Sequence, residues 1–173
     1  VAEGERVYHG IAACSSCHAA YVTKPKIVEH MKSFDIAVTS FRPAMYEGET
    51  KDSEWGQPIK PPDFLRDRIK SGTDKNDLVR VIASGVGGTA MPSWGGTLTP
   101  KQLWGLVYYV EWLALQRGTP EGAELRKSLL EQPDYTPPPP PPPPPPPEAT
   151  ASPSADPSAA PTASASAAPT AKP

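Results

Sequence analysis

The stretch AACSSCHAAY, residues 12–21, holds both cysteines of the chain, two residues apart, with a histidine directly after the second. Four chemistries use a C-x-x-C pair: a thiol–disulfide switch, a zinc site, an iron–sulfur cluster and covalent attachment of haem. A thioredoxin-like switch sets its pair at the end of a strand in a βαβ unit, and no run here alternates well enough to be that strand. An iron–sulfur cluster takes four cysteines; this chain has two. Structural zinc takes four Cys or His ligands. The histidines are His9, His18 and His30, so Cys14, Cys17, His18 and His30 supply four donors, but no second closely spaced ligand pair exists. A plain disulfide across C-x-x-C closes a strained ring. Haem uses every residue of the motif. The thiols of Cys14 and Cys17, at i and i+3, each add to one vinyl group, and His18 turns its imidazole to the iron from the same side. C-x-x-C-H is a specific signal for that attachment.

An iron held by His18 needs a ligand, or a gap, on its other face. His9 lies on the cysteine side and cannot easily reach round the ring. That leaves His30, Met31, Met45 and Met91. Methionine is ordinarily core filler, and Met31 falls in the apolar series Ile27–Met31–Phe34–Val38. His30, its neighbour, is expected to face solvent. Met91 stands apart. It lies in SGVGGTAMPSWGG, where Gly85, Gly87, Gly88 and Ala90 remove side-chain bulk just before it. A backbone lying close against a flat macrocycle needs such small residues, and Pro92 fixes the chain direction afterwards. Met91 is the expected distal ligand.

The elements that must carry these residues read as helices. Val7, Ile11 and Cys14 share one helical face near the start. Residues 74–85 open on Asp74 and close on Gly85, with Leu78, Val81 and Ile82 as an apolar stripe. Thr99, Pro100 and Gln102 form the start signal of a long aromatic-rich helix that Gly118 ends. A further short helix begins at Thr119 and stops before Pro133, and another is expected near residues 25–35. The segment FRPAMYEGETKDSEWGQPIKPPDF reads as loop. The predicted fold class is therefore all-α, with no strand.

The chain has 173 residues, a formal net charge of −2 and 25 prolines, of which 137–147 are an unbroken run. The residues after that run are Ala, Ser, Thr and Pro with three charges, too little apolar surface to offset the entropy of ordering them. The expected organisation is a folded domain over 1–118, a short helical extension over 119–136, a polyproline II segment over 137–147 and a low-complexity tail over 148–173. Nothing in the charge pattern suggests a nucleic-acid partner. The longest apolar segment, LWGLVYYVEWLAL, carries Glu111 and falls short of the roughly 20 residues a membrane span needs. The chain begins at Val1, as expected of a mature, processed form.

CSSCH, PPDF, GGTAMPSW and an aromatic-rich terminal helix together resemble the class I cytochrome c family over residues 4–116. The resemblance implies N- and C-terminal helices that cross, here through Gly4 and Tyr8 against Leu106 and Tyr109. It implies a proline carbonyl on the proximal histidine's Nδ1–H, supplied by Pro61 or Pro62, with Pro62 the residue taken. It also matches Trp94 to an aromatic near a haem propionate, although simple pocket packing explains Trp94 equally well. Two departures stand out: residues 19–60 are long and lack a glycine directly after the haem motif, and the proline-rich tail is added. WGQPIKPPDF and SGVGGTAMPSWGG together are similar to haem subunits of multi-subunit respiratory enzymes.

The expected function is single-electron transfer, not catalysis, by one covalent haem c with His18 and Met91 as axial ligands. The setting expected is a membrane-attached respiratory or photosynthetic redox assembly, periplasmic or otherwise extracytoplasmic, whose other subunits are the partners. A freely diffusing periplasmic shuttle is the alternative. A haem enzyme or sensor would need a labile distal Met91.

Overall fold

The computed structural model describes residues 1–139. The polyproline run beyond Pro139 and the tail over 148–173 lie outside the described residues. Among the described residues five helices carry the fold: α1 Ala2–His9, α2 Lys24–Lys32, α3 Lys75–Ser84, α4 Pro100–Leu115 and α5 Pro120–Leu130. A single 3-10 turn, Cys14–Ser16, lies between the first two. The all-α class predicted from the sequence is what the structure has, with one addition. β1 (Lys51–Asp52) pairs antiparallel with β2 (Pro58–Ile59), Lys51 opposite Ile59. Two residues per strand are too few to leave an alternating pattern, so the sequence reads as loop there.

Local signals fix the helix starts. Thr99 accepts the Gln102 N–H while the Gln102 side chain accepts from the Thr99 N–H, a complete capping box ahead of Pro100. Asp74 caps α3 by accepting from the N–H groups of Asn76 and Asp77, and Thr119 caps α5. Gly85 at φ 71° and Gly118 at φ 75° follow α3 and α4 in the left-handed region that glycine adopts without strain.

The first helix is shorter than its apolar spacing suggests. It ends at His9, Ile11 is left 38 % exposed, and Cys14 sits in the separate 3-10 turn. Gly10, the residue that follows the helix at φ −101° and ψ −113°, packs against Phe34, where a Cβ would lie 2.6 Å from the ring.

α1 and α4 form the most extensive helix pair. Val7, Tyr8, Leu106, Val107, Tyr109 and Leu113 are all at most 1 % exposed between them and their neighbours. The closest backbone approach is glycine on glycine: a Cβ on Gly4 would overlap the Gly105 carbonyl and come 2.6 Å from Tyr109 Cβ. The expected partner Leu106 is buried in the same core cluster as Tyr8 and also borders the central cavity, while the residue nearest Gly4 is Gly105. A second, smaller cluster of Ala20, Ile27 and Met45 packs beside Met31 and Phe41.

Candidate haem site

Helices α1, α3 and α4 leave a cavity of about 600 Å³ between them, within the range of roughly 300–1,000 Å³ usual for cofactor sites. Cys14, Cys17, His18 and Met91 all line it, and its walls include Tyr8, Phe64, Leu78, Ile82 and Val110. Lys51, Lys60, Arg68 and Lys70 border the same space, a cationic margin suited to a cofactor bearing carboxylates. Two thiols and an imidazole around one apolar space are the groups that covalent attachment of haem c uses, and a thioether lines the same space. The residues present fit the group.

The cysteine side is built by the 3-10 turn. Ala13 sits at φ 43°, and the His18 and Cys17 N–H groups both donate to the Cys14 carbonyl. His18 Nδ1–H donates to the Pro62 carbonyl at 3.2 Å, which leaves Nε2 as the free lone pair. Burial lowers the His18 pKa, and the Pro62 contact works the other way. The imidazole stays neutral, the form able to ligate a metal. Its ring stacks on Phe64 at 4.9 Å. Burial pushes the Cys14 thiol up to about 12.

Pro62 is itself held by a buried polar cluster that the sequence does not reveal. Asp63, 5 % exposed, accepts from the Tyr21 hydroxyl at 3.1 Å, the Leu65 N–H at 3.1 Å and Arg126 Nε at 3.3 Å. The Phe64 N–H donates to the same tyrosine oxygen at 2.7 Å. The side-chain partners, Tyr21 near the haem motif and Arg126 on α5, are dozens of residues away, so no local spacing marks them.

Met91 reaches the cavity from a loop folded back on α3. The Trp94 and Gly95 N–H groups donate to Ile82 and Ala83 carbonyls, satisfying the end of that helix. Trp94 lines the cavity and packs on the core cluster. The small residues before Met91 act differently from expectation. Ala90 borders the cavity, but Gly85, Gly87 and Gly88 do not. Gly85 makes room for the Met91–Ser93 backbone and Gly88 for the Trp55 ring, while Gly87 faces open space.

The other candidates lie elsewhere. Met45, 6 % exposed, belongs to the smaller apolar cluster with Met31 beside it. His30 does not face solvent: it is 6 % exposed, with Nε2 3.0 Å from Glu5 Oε1 and its ring stacked on His9. The helical face that carries it is covered by α1, which the periodicity of one helix cannot show.

Residues 41–60, for which the sequence offers no role, brace the haem motif. Glu49 N–H donates to the Cys17 carbonyl at 2.8 Å. Arg42 donates to the carbonyls of His18, Met45 and Glu47.

A mostly helical domain with the C-x-x-C-H motif and Met91 on one apolar cavity fits a c-type cytochrome domain. The chain belongs to the family described as cytochrome c oxidase, cbb3-type, subunit III, whose model matches residues 1–110. Membership carries covalently bound haem c and haem-based electron transfer. No curated protein and no solved structure matches the chain.

Proposed function

We propose that the chain passes single electrons through one haem c, joined to Cys14 and Cys17 and ligated by His18 and Met91. The observation that carries this is the convergence of those four side chains on one cavity, while Met31, Met45, His9 and His30 are placed elsewhere. When bound, the haem supplies a one-electron iron couple, and a thioether ligand raises its potential. The chain's own part is to hold and to exclude. Pro62 fixes the His18 tautomer and ring orientation, Phe64 stacks on that ring, and the apolar walls keep water out. Trp94 completes the wall beside the Met91 loop. A haem held by both His18 and Met91 would leave no open position for a substrate, so the chain would act as a carrier.

The matched family is described as a subunit of an oxidase. On that ground we place this chain as an extracytoplasmic haem subunit of a membrane-attached respiratory assembly, with neighbouring subunits as its redox partners.

The test uses the purified holoprotein. Acid–acetone extraction should leave the colour on the polypeptide, and the oxidised protein should show the weak near-infrared sulfur-to-iron band. Met91→Ala should abolish that band and open the reduced iron to CO. Colour moving into the organic phase would refute covalent attachment. Loss of the band in Met45→Ala, with Met91→Ala unaffected, would move the distal ligand to the other loop.

A further inference from the structure

We infer that Trp55, at the tip of the β1–β2 hairpin, is a positioning residue for Met91, pinning the loop that carries the thioether so that other ligands enter slowly. The inference rests on the His18/Met91 reading above. Trp55 is 75 % exposed, more than any other large apolar side chain among the described residues. The hydrophobic core therefore does not account for it. Its ring instead lies directly against Gly88: a Cβ at that position would overlap the indole. Gly88 is buried beneath it at φ 76°. The contact is doubled by backbone, because the Glu54 N–H donates to the Gly88 carbonyl at 3.1 Å.

Gly88 lies inside a turn that hydrogen bonds between Val86, Thr89 and Met91 close around it. The Thr89 N–H and hydroxyl both donate to the Val86 carbonyl, at 3.1 and 2.7 Å. Thr89 Oγ1 accepts from the Met91 N–H at 3.2 Å, and the Val86 N–H donates to the Met91 carbonyl at 3.3 Å. Val86, Gly87, Ala90, Pro92 and Ser93 are exposed. A loop with so little buried surface belongs to the easily opened part of a fold. One external grip then matters.

The grip itself is anchored. At the hairpin tip the Ser53 N–H donates to the Gln57 carbonyl at 2.8 Å and the Gln57 N–H to Ser53 Oγ at 3.0 Å. A few residues earlier in the chain, Glu49 is bonded to Cys17 and Arg42 to His18. One continuous segment thus ties the proximal motif to the distal loop. It is the same segment that is long in this sequence.

Imidazole entering the distal position of the oxidised holoprotein is the probe, since it binds only when Met91 has moved away. Trp55→Ala should speed its entry about tenfold, the effect of losing one contact of ordinary coupling strength. Trp55→Phe should restore most of the wild-type rate, and Trp104→Ala, exposed on α4, should leave it unchanged. The contact is lost from the folded protein as a whole, so the melting temperature of Trp55→Ala should fall by only a few degrees, as for the loss of any single contact of that size. A Trp55→Ala protein that takes up imidazole at the wild-type rate overturns the inference. So does faster entry that phenylalanine does not restore and that tracks a lowered melting temperature. A wild-type protein without the near-infrared band overturns the Met91 assignment first, and the role of Trp55 with it.

Discussion

His9 shows how burial fixes the chemistry of one side chain. It is 1 % exposed; its Nδ1–H donates to the Glu5 carbonyl at 2.9 Å and its Nε2 accepts the Tyr21 N–H at 3.1 Å. Both ring nitrogens are used and the tautomer is set. Tyr8 beside it, His30 of α2 stacked on it and Tyr109 of α4 edge-on complete its surroundings, with no carboxylate on the ring. A second proton would displace the Tyr21 N–H and leave a buried cation. Burial accordingly lowers the His9 pKa to about 3 from 6.5, although the Glu5 carbonyl pulls the other way. Between those values the unfolded chain holds a proton that the folded protein refuses. The contribution of His9 is whole above pH 6.5 and is lost as pH falls towards 3, by about 1.4 kcal/mol per unit. Melting curves of wild type and His9→Gln between about pH 7 and pH 4 measure it. Carboxylates titrate in both proteins, so the difference between them is the readout. Wild type should lose its lead as pH falls; parallel curves would sink this account.

Helices were legible where their signals are local, and misjudged where a distant residue decides. Asp74, Thr99 with Gln102, and Thr119 start their helices as read, because a cap acts within three residues of itself. C-x-x-C-H points to a c-type cytochrome because covalent attachment imposes its spacing, and the family match agrees on that class. The end of α1, the burial of His30, the Asp63 cluster and the seat of Trp55 all depend on contacts across the chain, where no period exists to read. The α1–α4 crossing lies between these cases. A glycine meeting an aromatic was visible as Gly4 and Tyr109, but its closest neighbour, Gly105, differs by one position from the expected Leu106. That geometry makes a prediction with a definite sign. Alanine is ordinarily better than glycine in a helix by roughly 0.5–1 kcal/mol. At Gly4 the added methyl overlaps a backbone carbonyl that cannot rotate aside, and overpacking costs about 1–3 kcal/mol or more. Gly4→Ala should therefore lower the melting temperature. Gly105→Ala, whose methyl would sit 3.2 Å from Glu3 Cγ and the Gly4 nitrogen, should be milder. A Gly4→Ala protein as stable as wild type would contradict the glycine–glycine contact.

At the scale of the whole molecule, the question is what joins this haem domain to its assembly. No helix among the described residues is long and apolar enough to cross a membrane. Our proposal puts attachment to the partners on residues beyond the packed domain. The packed part of the chain continues past the family match at residue 110. Arg126 of α5 reaches Asp63 beside Pro62, Gln132 Oε1 accepts the Lys24 N–H at 3.0 Å, and Tyr135 lies 6.2 Å from Phe41, ring to ring. α5 and the turn after it therefore belong to the support of the haem site, and removing them should disturb it. Beyond Thr136 the sequence changes to proline and then to Ala, Ser, Thr and Pro, a composition that adds nothing to a core and suits contact with a partner. Truncation after Thr136 separates the two roles. The shortened holoprotein should keep the wild-type visible spectrum, near-infrared band and melting temperature, since Arg126, Gln132 and Tyr135 all remain. Expressed in its native host, it should co-purify with its partner subunits in lower yield than the full chain. Recovery at full stoichiometry would show that residues 137–173 are not the attachment.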